Sequence, residues 1–242
     1  MNGESEVHLS LVMPAYNEAD RISDALTKVD AYLSSMRRPY EILVVDDGST
    51  DSTLDRVREC AASCNELRLI SYGVNRGKGY AVRQGMLASR GQYAAFSDAD
   101  LSAPIEELSK LFAALNRGYD IAIGSRALRE SELTLRQPLY RELGGKALNL
   151  MVRLFAVPGI RDTQCGLKLF KGAVAREIFS RCFVDGWAFD VETLYLARRL
   201  GYDVAETPVR WAHAEGSKVR PLRAGLQVLR DIARVRTHHY DL

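Results

Sequence analysis

Two carboxylates two residues apart, Asp98 and Asp100, close the run Gln92-Tyr93-Ala94-Ala95-Phe96, which reads as a buried strand. Pro104, Glu106 and Glu107 then open a helix. Charge parked at the carboxyl end of a sheet strand is expensive unless something binds it, and a natural binder is a divalent cation carrying a diphosphate. The same spacing also suits one aspartate capping the next helix while the other is solvated. The pair alone leaves both readings open.

The elements that must position the pair follow from periodicity. Strands read at Leu9–Met13, Glu41–Val45, Leu67–Ser71, Tyr93–Phe96 and Ile121–Ile123, and helices at roughly Glu18–Met36, Ser52–Ala62, Gly79–Ser89 and Ile105–Asn116. This alternation predicts βαβ units and an α/β fold with a mostly parallel central sheet and helices on both faces. Ligands of such sheets sit outside the carboxyl ends of the strands. Those ends carry Pro14-Ala15-Tyr16-Asn17-Glu18, Asp46-Asp47-Gly48-Ser49-Thr50-Asp51, Asn75-Arg76-Gly77-Lys78-Gly79, Asp98-Ala99-Asp100 and Gly124-Ser125-Arg126. The acidic groups suit a metal, a ribose or a base edge, and Arg76, Lys78 and Arg126 suit phosphate. Gly77 and Gly79 are expected to let the backbone approach the phosphates. Any one of these segments alone is more often just a turn. Five on one edge point to a ligand.

Two familiar nucleotide motifs are absent. The first turn has no GxGxxG. Gly73-Val74-Asn75-Arg76-Gly77-Lys78-Gly79 is one residue short of a P-loop, lacks Ser or Thr after the lysine, and does not follow the first strand.

Composition bounds the class. A chain of 242 residues with 47% hydrophobic and 26% charged residues suits one large α/β domain. Its net charge of +2 argues for no nucleic-acid partner. No run approaches the ~18 apolar residues of a membrane span, and the polar, acidic start Met1-Asn2-Gly3-Glu4-Ser5-Glu6 fits no signal peptide. Cys60, Cys64, Cys165 and Cys182 form no CxxC pair, so reduced thiols and a cytoplasmic location are expected. His213, His238 and His239 lack metal-ligand partners at convincing spacing, and the last two read as tail.

The first-half motifs, Pro14-Ala15-Tyr16-Asn17-Glu18, Val45-Asp46-Asp47-Gly48-Ser49-Thr50-Asp51, Asn75-Arg76-Gly77-Lys78-Gly79 and Asp98-Ala99-Asp100, resemble family 2 glycosyltransferases with the GT-A, Rossmann-like nucleotide-sugar-binding fold. In the second half, Asp162-Thr163-Gln164-Cys165-Gly166-Leu167-Lys168-Leu169-Phe170, Trp187-Ala188-Phe189-Asp190-Val191-Glu192 and Gly216-Ser217-Lys218-Val219 resemble the polyprenyl-phosphate hexosyltransferases. Among these, the dolichyl-phosphate β-glucosyltransferases are the nearest and the mannosyltransferases next. The resemblance runs from about residue 8 to about residue 220. It divides residues 1–242, one catalytic domain, into a nucleotide-sugar half at 8–126, an acceptor half at 127–220 and a C-terminal helix and tail at 221–242.

The resemblance implies a residue-by-residue site. Pro14, Tyr16 and Glu18 frame base and ribose. Asp46 holds base or ribose and Asp47 supports it. Lys78 reaches the diphosphate or base, and Asp98 binds ribose or, through water, the metal. Asp100 ligates the metal directly. The cation is Mg²⁺ or Mn²⁺, which suit all-oxygen sites. Arg126 clamps the phosphates. The donor implied is UDP-glucose, with GDP-mannose the alternative; the acceptor is a polyprenyl or dolichyl phosphate. Arg141, Asp162, Gln164, Trp187, Asp190, Glu192 and Lys218 fall on the acceptor side, with Asp190, Asp162 and Arg126 as the catalytic set. Trp187 and Phe189 suit core packing equally well, and Asp190 suits a cap on a helix at Val191–Leu200 as well as a base. Position 102 is Ser where the mannosyl enzymes carry Gln as a further metal contact. The chain shows neither the N-terminal anchor of eukaryotic glucosyl enzymes nor the C-terminal spans of some mannosyl enzymes, so peripheral contact with the cytoplasmic membrane face is expected. The segment 136–153 carries Arg136, Arg141, Lys146 and Arg153 among leucines and is the candidate for that contact. The amphipathic 221–236 stretch is expected to pack on the sheet instead.

Three classes compete on these residues. They are an inverting transferase, a nucleotidyltransferase and a nucleotide-sugar binder without turnover. Within the first, a soluble glycan hydroxyl is the alternative acceptor, and it would need Asp190 as base. A phosphate acceptor is already largely ionised near neutral pH.

Overall fold

The computed structural model describes residues 7–135, 152, 156–212 and 221–240. Strands β1 (Leu9–Ala15), β2 (Tyr40–Asp46), β3 (Leu67–Ser71), β4 (Tyr93–Phe96) and β5 (Ile121–Ser125) come from the segments that the apolar runs marked. With β7 (Lys168–Lys171) and β8 (Val204–Pro208) they form a seven-stranded sheet in the order β3-β2-β1-β4-β7-β5-β8. Every pairing in it is parallel except those of β7, which runs antiparallel to β4 and β5. A small parallel pair, β6 (Glu132–Leu135) with β9 (Arg210–Ala212), stands beside it.

Alternation along the strands feeds two cores. Leu9, Leu11, Met13 and Ala15 face one, shared with α1 (Ile22–Ser35), α2 (Thr53–Ser63) and α4 (Leu108–Leu115). Val12, Leu43, Val45 and Phe96 face the other, shared with α3 (Lys78–Ala88), α5 (Gly172–Arg181), α6 (Phe189–Arg199) and α7 (Pro221–Thr237). The C-terminal helix joins the second core against α6 rather than the sheet, burying Val228, Ile232 and Val235 while Ala233 is exposed. Among the described residues, no helix is long and apolar enough to cross a membrane.

The departures from expectation have local causes. Helix α1 starts at Ile22 rather than Glu18 because the Glu18 and Ala19 amides donate to Thr53 Oγ1 (2.7 Å) and Asp51 Oδ2 (3.3 Å). Strand β1 runs on through Pro14 to Ala15, whose carbonyl accepts the Asp47 amide at 2.8 Å. The stretch 105–116 divides into a 3-10 turn at Ile105–Glu107 and α4. Strand β7, which the periodicity did not mark, is bracketed by Lys168 and Lys171. It threads between β4 and β5, so a segment from the second half of the chain completes the sheet begun by the first.

Candidate active site

Parallel β1, β2, β3, β4 and β5 bring their five carboxyl ends to one edge, as expected. Asp47 organises it. Its Oδ1 accepts from the Tyr72 hydroxyl (2.7 Å) and the Arg76 amide (2.8 Å); its Oδ2 accepts from Asn75 Nδ2 (2.9 Å) and the Gly77 amide (2.9 Å). Four bonds to a carboxylate are strong ones, and they pin the loop after β3 to the end of β2. Asp46 beside it is 1% exposed and accepts from the Ser71 hydroxyl at 3.1 Å. Asn17 takes a positive φ of 55° at the end of β1, and its Oδ1 accepts the Thr50 amide at 2.7 Å. Pro14 lies within β1, while Tyr16 is 38% exposed beside that turn.

The pinned loop delivers Lys78, the first residue of α3, to the acidic pair. Its Nζ lies 2.5 Å from Asp98 Oδ1. Burial works against the ammonium, but Asp98, then Asp190 and Asp100, outweigh it and hold its pKa above the ordinary lysine value. The glycines flanking Lys78 admit the chain's own backbone. A Cβ on Gly77 (φ +108°) would lie 2.5 Å from the Asp185 carbonyl oxygen, and one on Gly79 2.5 Å from that of Val184. The space they free is filled by the chain's own 184–186 segment.

That segment leads to a second charged centre. Lys168, fully buried, donates to Asp190 Oδ1 at 2.5 Å and to the Cys165 carbonyl at 2.8 Å. Asp190 is 4% exposed; burial pushes its carboxyl up, and Lys168 and Lys78 reverse this only in part. It is not the expected cap, because α6 begins at Phe189 with Ala188 as N-cap, and the Asp190 side chain is on Lys168. Asp98, Lys78, Asp190 and Lys168 thus form a ladder of alternating charge. Sequence reading assigned no role to Lys168; the signal was a lysine amid the apolar run Leu167–Phe170.

At the end of β5, Arg126 makes a bidentate pair with Asp162, Nε to Oδ2 at 2.7 Å and Nη2 to Oδ1 at 2.9 Å. Burial opposes the Asp162 charge, yet Arg126 overcomes it and holds the carboxyl below its ordinary range. Glu206 of β8 braces this corner by accepting from the Ser125 hydroxyl (2.8 Å) and the Asp162 amide (2.9 Å). Cys165 lies nearby, and burial pushes its thiol up to about 11, away from nucleophile chemistry.

The remaining acceptor-side residues scatter. The half-buried Gln164 gives its amide to Asp162 Oδ1 at 3.2 Å. Trp187 is 40% exposed, its ring centre 5.5 Å from Lys78 Nζ, whereas Phe189 is the core residue of the two at 1%. Glu192 is turned away from Lys78. It accepts the Phe183 and Val184 amides (3.0 and 2.9 Å) and the Tyr240 hydroxyl (3.0 Å). His238, expected as tail, packs against Phe183 with ring centres 4.4 Å apart and the planes tilted by 42°. Arg141, Lys218, His213 and the basic stretch from Arg136 to Arg153, apart from Val152, lie outside the described residues.

Asp100 is exposed, its Oδ1 accepting the Ser102 amide at 2.9 Å. Asp98 and Asp100 therefore offer hard carboxylate oxygens at an open edge, the donor chemistry that Mg²⁺ and Mn²⁺ take. Beside them lies a shallow, open recess lined by Ser97, Asp98, Ser102, Ala103, Gly166 and Trp211.

Solved structures share this architecture. Glucosyl-3-phosphoglycerate synthase from Mycobacterium tuberculosis, in complex with Mn²⁺, uridine diphosphate and phosphoglyceric acid, superposes with a TM-score of 0.70 at 21% identity, over 96% of this chain and 80% of that one. Mannosyl-3-phosphoglycerate synthase from Rubrobacter xylanophilus gives 0.71 at 21% identity, over 94% and 73%. At such identity the likeness shows the fold, which is GT-A. Sequence relatives are closer. The dolichyl-phosphate β-glucosyltransferase of Dictyostelium discoideum is 37% identical over 97% of this chain and 76% of its own length. That of Drosophila melanogaster is 40% identical over 93% and 73%, and that of Homo sapiens 37% over 96% and 75%. The family model described as Glycosyl transferase family 2 matches residues 10–179. With that match, those relatives and a carboxyl edge built around Asp98 and Asp100, the chain belongs to the family 2 glycosyltransferases.

Proposed function

We propose that this glycosyltransferase moves glucose from UDP-glucose to a polyprenyl phosphate, inverting the anomeric centre. The observation that carries the reading is the charge ladder from Asp98 to Lys168 at the carboxyl edge of the sheet, in a chain whose relatives at 37–40% identity are dolichyl-phosphate β-glucosyltransferases. In the reaction, an acceptor phosphate oxygen attacks the anomeric carbon. The bond from that carbon to the diphosphate breaks on the opposite face, and UDP leaves. An α-linked donor then gives a β-linked product in one displacement.

Each residue has a task in this scheme. Asp98 and Asp100 would hold the divalent cation, which when bound supplies positive charge to the leaving diphosphate. Lys78, poised on Asp98, is within reach of the same oxygens once a ligand competes for it. Arg126, fixed by Asp162, presents its remaining guanidinium edge at the end of β5. The ionised acceptor phosphate needs orientation rather than deprotonation. Asp190, tied to Lys168, then shapes the field around Lys78 instead of taking a proton. Contact with a membrane surface through the basic, leucine-rich segment 136–153 completes the reading.

The test is a panel of UDP-glucose and GDP-mannose, each with a short-chain polyprenyl phosphate, scored for glycolipid and for the nucleotide released. Glucolipid with UDP release is the expected result. Product from GDP-mannose alone would replace the donor, release of pyrophosphate would replace the reaction class, and transfer only to a sugar hydroxyl would make Asp190 a base.

A further inference from the structure

Trp211 takes no part in the scheme so far, yet among the described residues it is the one large apolar side chain in the lining of the recess beside Asp98, with Ser97, Asp98, Ser102, Ala103 and Gly166 as the others. Its placement is fixed from several sides. It lies in β9, paired with β6 at Leu133. The next residue, Ala212, donates its amide to the Ser102 carbonyl at 2.9 Å, and the Ser102 amide is itself bonded to Asp100. The preceding residue, Arg210, is paired with Glu107 at 2.6 Å. The Arg126 guanidinium lies 5.3 Å from the indole centre and is itself immobilised on Asp162. The strand, the acidic loop and the Arg126 corner therefore hold one half-buried ring against the recess.

We infer that Trp211 is the platform for the donor hexose and a determinant of which hexose is accepted. This deepens the proposed function and rests on it. A diphosphate bound through a cation on Asp98 and Asp100 would carry its hexose one bridging oxygen from the outer phosphorus, and therefore beside the recess. A pyranose has C–H faces as well as hydroxyls. Against an otherwise small and polar lining, the indole supplies both apolar area and a negative π face for those C–H groups. Epimers differ in the pattern of C–H and O–H on that face, so a flat wall discriminates between them. One methylene in a hydrophobic pocket is worth about ten- to two-hundredfold in discrimination, and loss of the indole face is placed at the low end of that range.

The test separates the sugar from the nucleotide. Wild type, Trp211→Leu and Trp211→Phe are titrated in Mn²⁺ with UDP and with UDP-glucose by calorimetry, and their kcat/KM for UDP-glucose and UDP-galactose is compared. Trp211→Leu is expected to lose about tenfold in UDP-glucose affinity while UDP stays within about twofold, and to narrow the glucose-to-galactose ratio. Trp211→Phe, keeping a ring, should sit between the two. Equal losses for UDP and UDP-glucose would show that the ring only props the acidic loop. Unchanged affinity and ratio would remove it from the subsite. Either result overturns the inference. Should the leucine variant fail to fold, Trp211→His carries the same comparison. Should wild type bind GDP-mannose and refuse UDP-glucose, the donor assignment falls on its own, and the GDP against GDP-mannose increment decides Trp211.

Discussion

The two edges of the central sheet use the same residue types to opposite ends. At the amino edge, Glu41 is 2% exposed, and the chain's own donors saturate it. Ser10 Oγ donates at 2.6 Å, the Arg90 amide at 2.9 Å, Arg90 Nη2 at 3.0 Å and Arg68 Nη1 at 2.6 Å. At the carboxyl edge, Asp98 has Lys78, and Asp100 has one backbone amide and stands open to solvent. A saturated carboxylate has no capacity left for a ligand and serves the fold. Carboxylates with open lone pairs at the strand ends of an α/β sheet keep that capacity.

The largest effect that sharpens this contrast is on turnover. Asp100→Asn is expected to lose on the order of 10²-fold or more in kcat, because the leaving diphosphate keeps its charge uncompensated, while its melting temperature stays near wild type. Glu41→Gln should behave in reverse, with a lower melting temperature and wild-type turnover once folded. Steady-state kinetics with matched thermal melts decides, and a stable, active Asp100→Asn would erase the difference between the edges.

Lys168→Met comes next. It leaves Asp190 buried without its cation, and breaking a buried pair costs about 3–5 kcal/mol. Denaturant unfolding should show that loss, and Lys168→Met combined with Asp190→Leu should recover most of it. Failure of the double variant to recover would mean that the pair matters through something other than its mutual charge.

The pH dependence is smaller and has a definite sign. Burial raises the carboxyls of Glu41 and Asp162, but hydrogen bonds and arginines overcome it and leave both below their ordinary values. Such groups stabilise the fold fully above the unfolded value, and the contribution is lost as pH falls through the folded one. Burial leaves Asp190 and Glu192 raised, so their effect runs the other way: stability declines as pH rises through the unfolded value towards the folded one. Denaturant midpoints taken from neutral pH into acid should therefore fall below the ordinary carboxylate range, and Asp162→Asn should flatten that fall. An unaltered acid limb would show that the Arg126 pair contributes nothing to it. The smallest effect expected is from Tyr240→Phe, which removes one hydrogen bond to Glu192 and should cost about 1 kcal/mol in unfolding. A cost several times larger would show that the C-terminal segment props up the 183–187 segment beside Lys78.

Much of the fold was legible because its signals are local. Apolar runs of three to five residues gave the first five strands to within two residues at either end, and the turn residues between them gave their carboxyl edge. Strand β7 was missed because a strand flanked by lysines carries no apolar alternation, and what pairs it is the free edges of β4 and β5. The site was legible in its residue types and less so in their partners. Asp46, Asp47, Lys78, Asp98, Asp100, Arg126, Asp162 and Asp190 all reach one edge. Glu192 turned out to hold the 183–184 amides, and Gly77 and Gly79 to admit protein backbone.

By itself, the sequence determined which chemistry this protein can do. Paired aspartates after an apolar run, and cations in the neighbouring turns, are the residue types that suit a diphosphate and its metal where a parallel sheet gathers strand ends. Only the tertiary structure decided which charges answer each other. Lys168 meets Asp190 across 22 positions, Lys78 meets Asp98 across 20, and Trp211 comes to the recess from a strand more than a hundred residues beyond Asp98. Such pairings are set by strand order and by how closely backbones can approach, and neither is written in the spacing of residues along the chain.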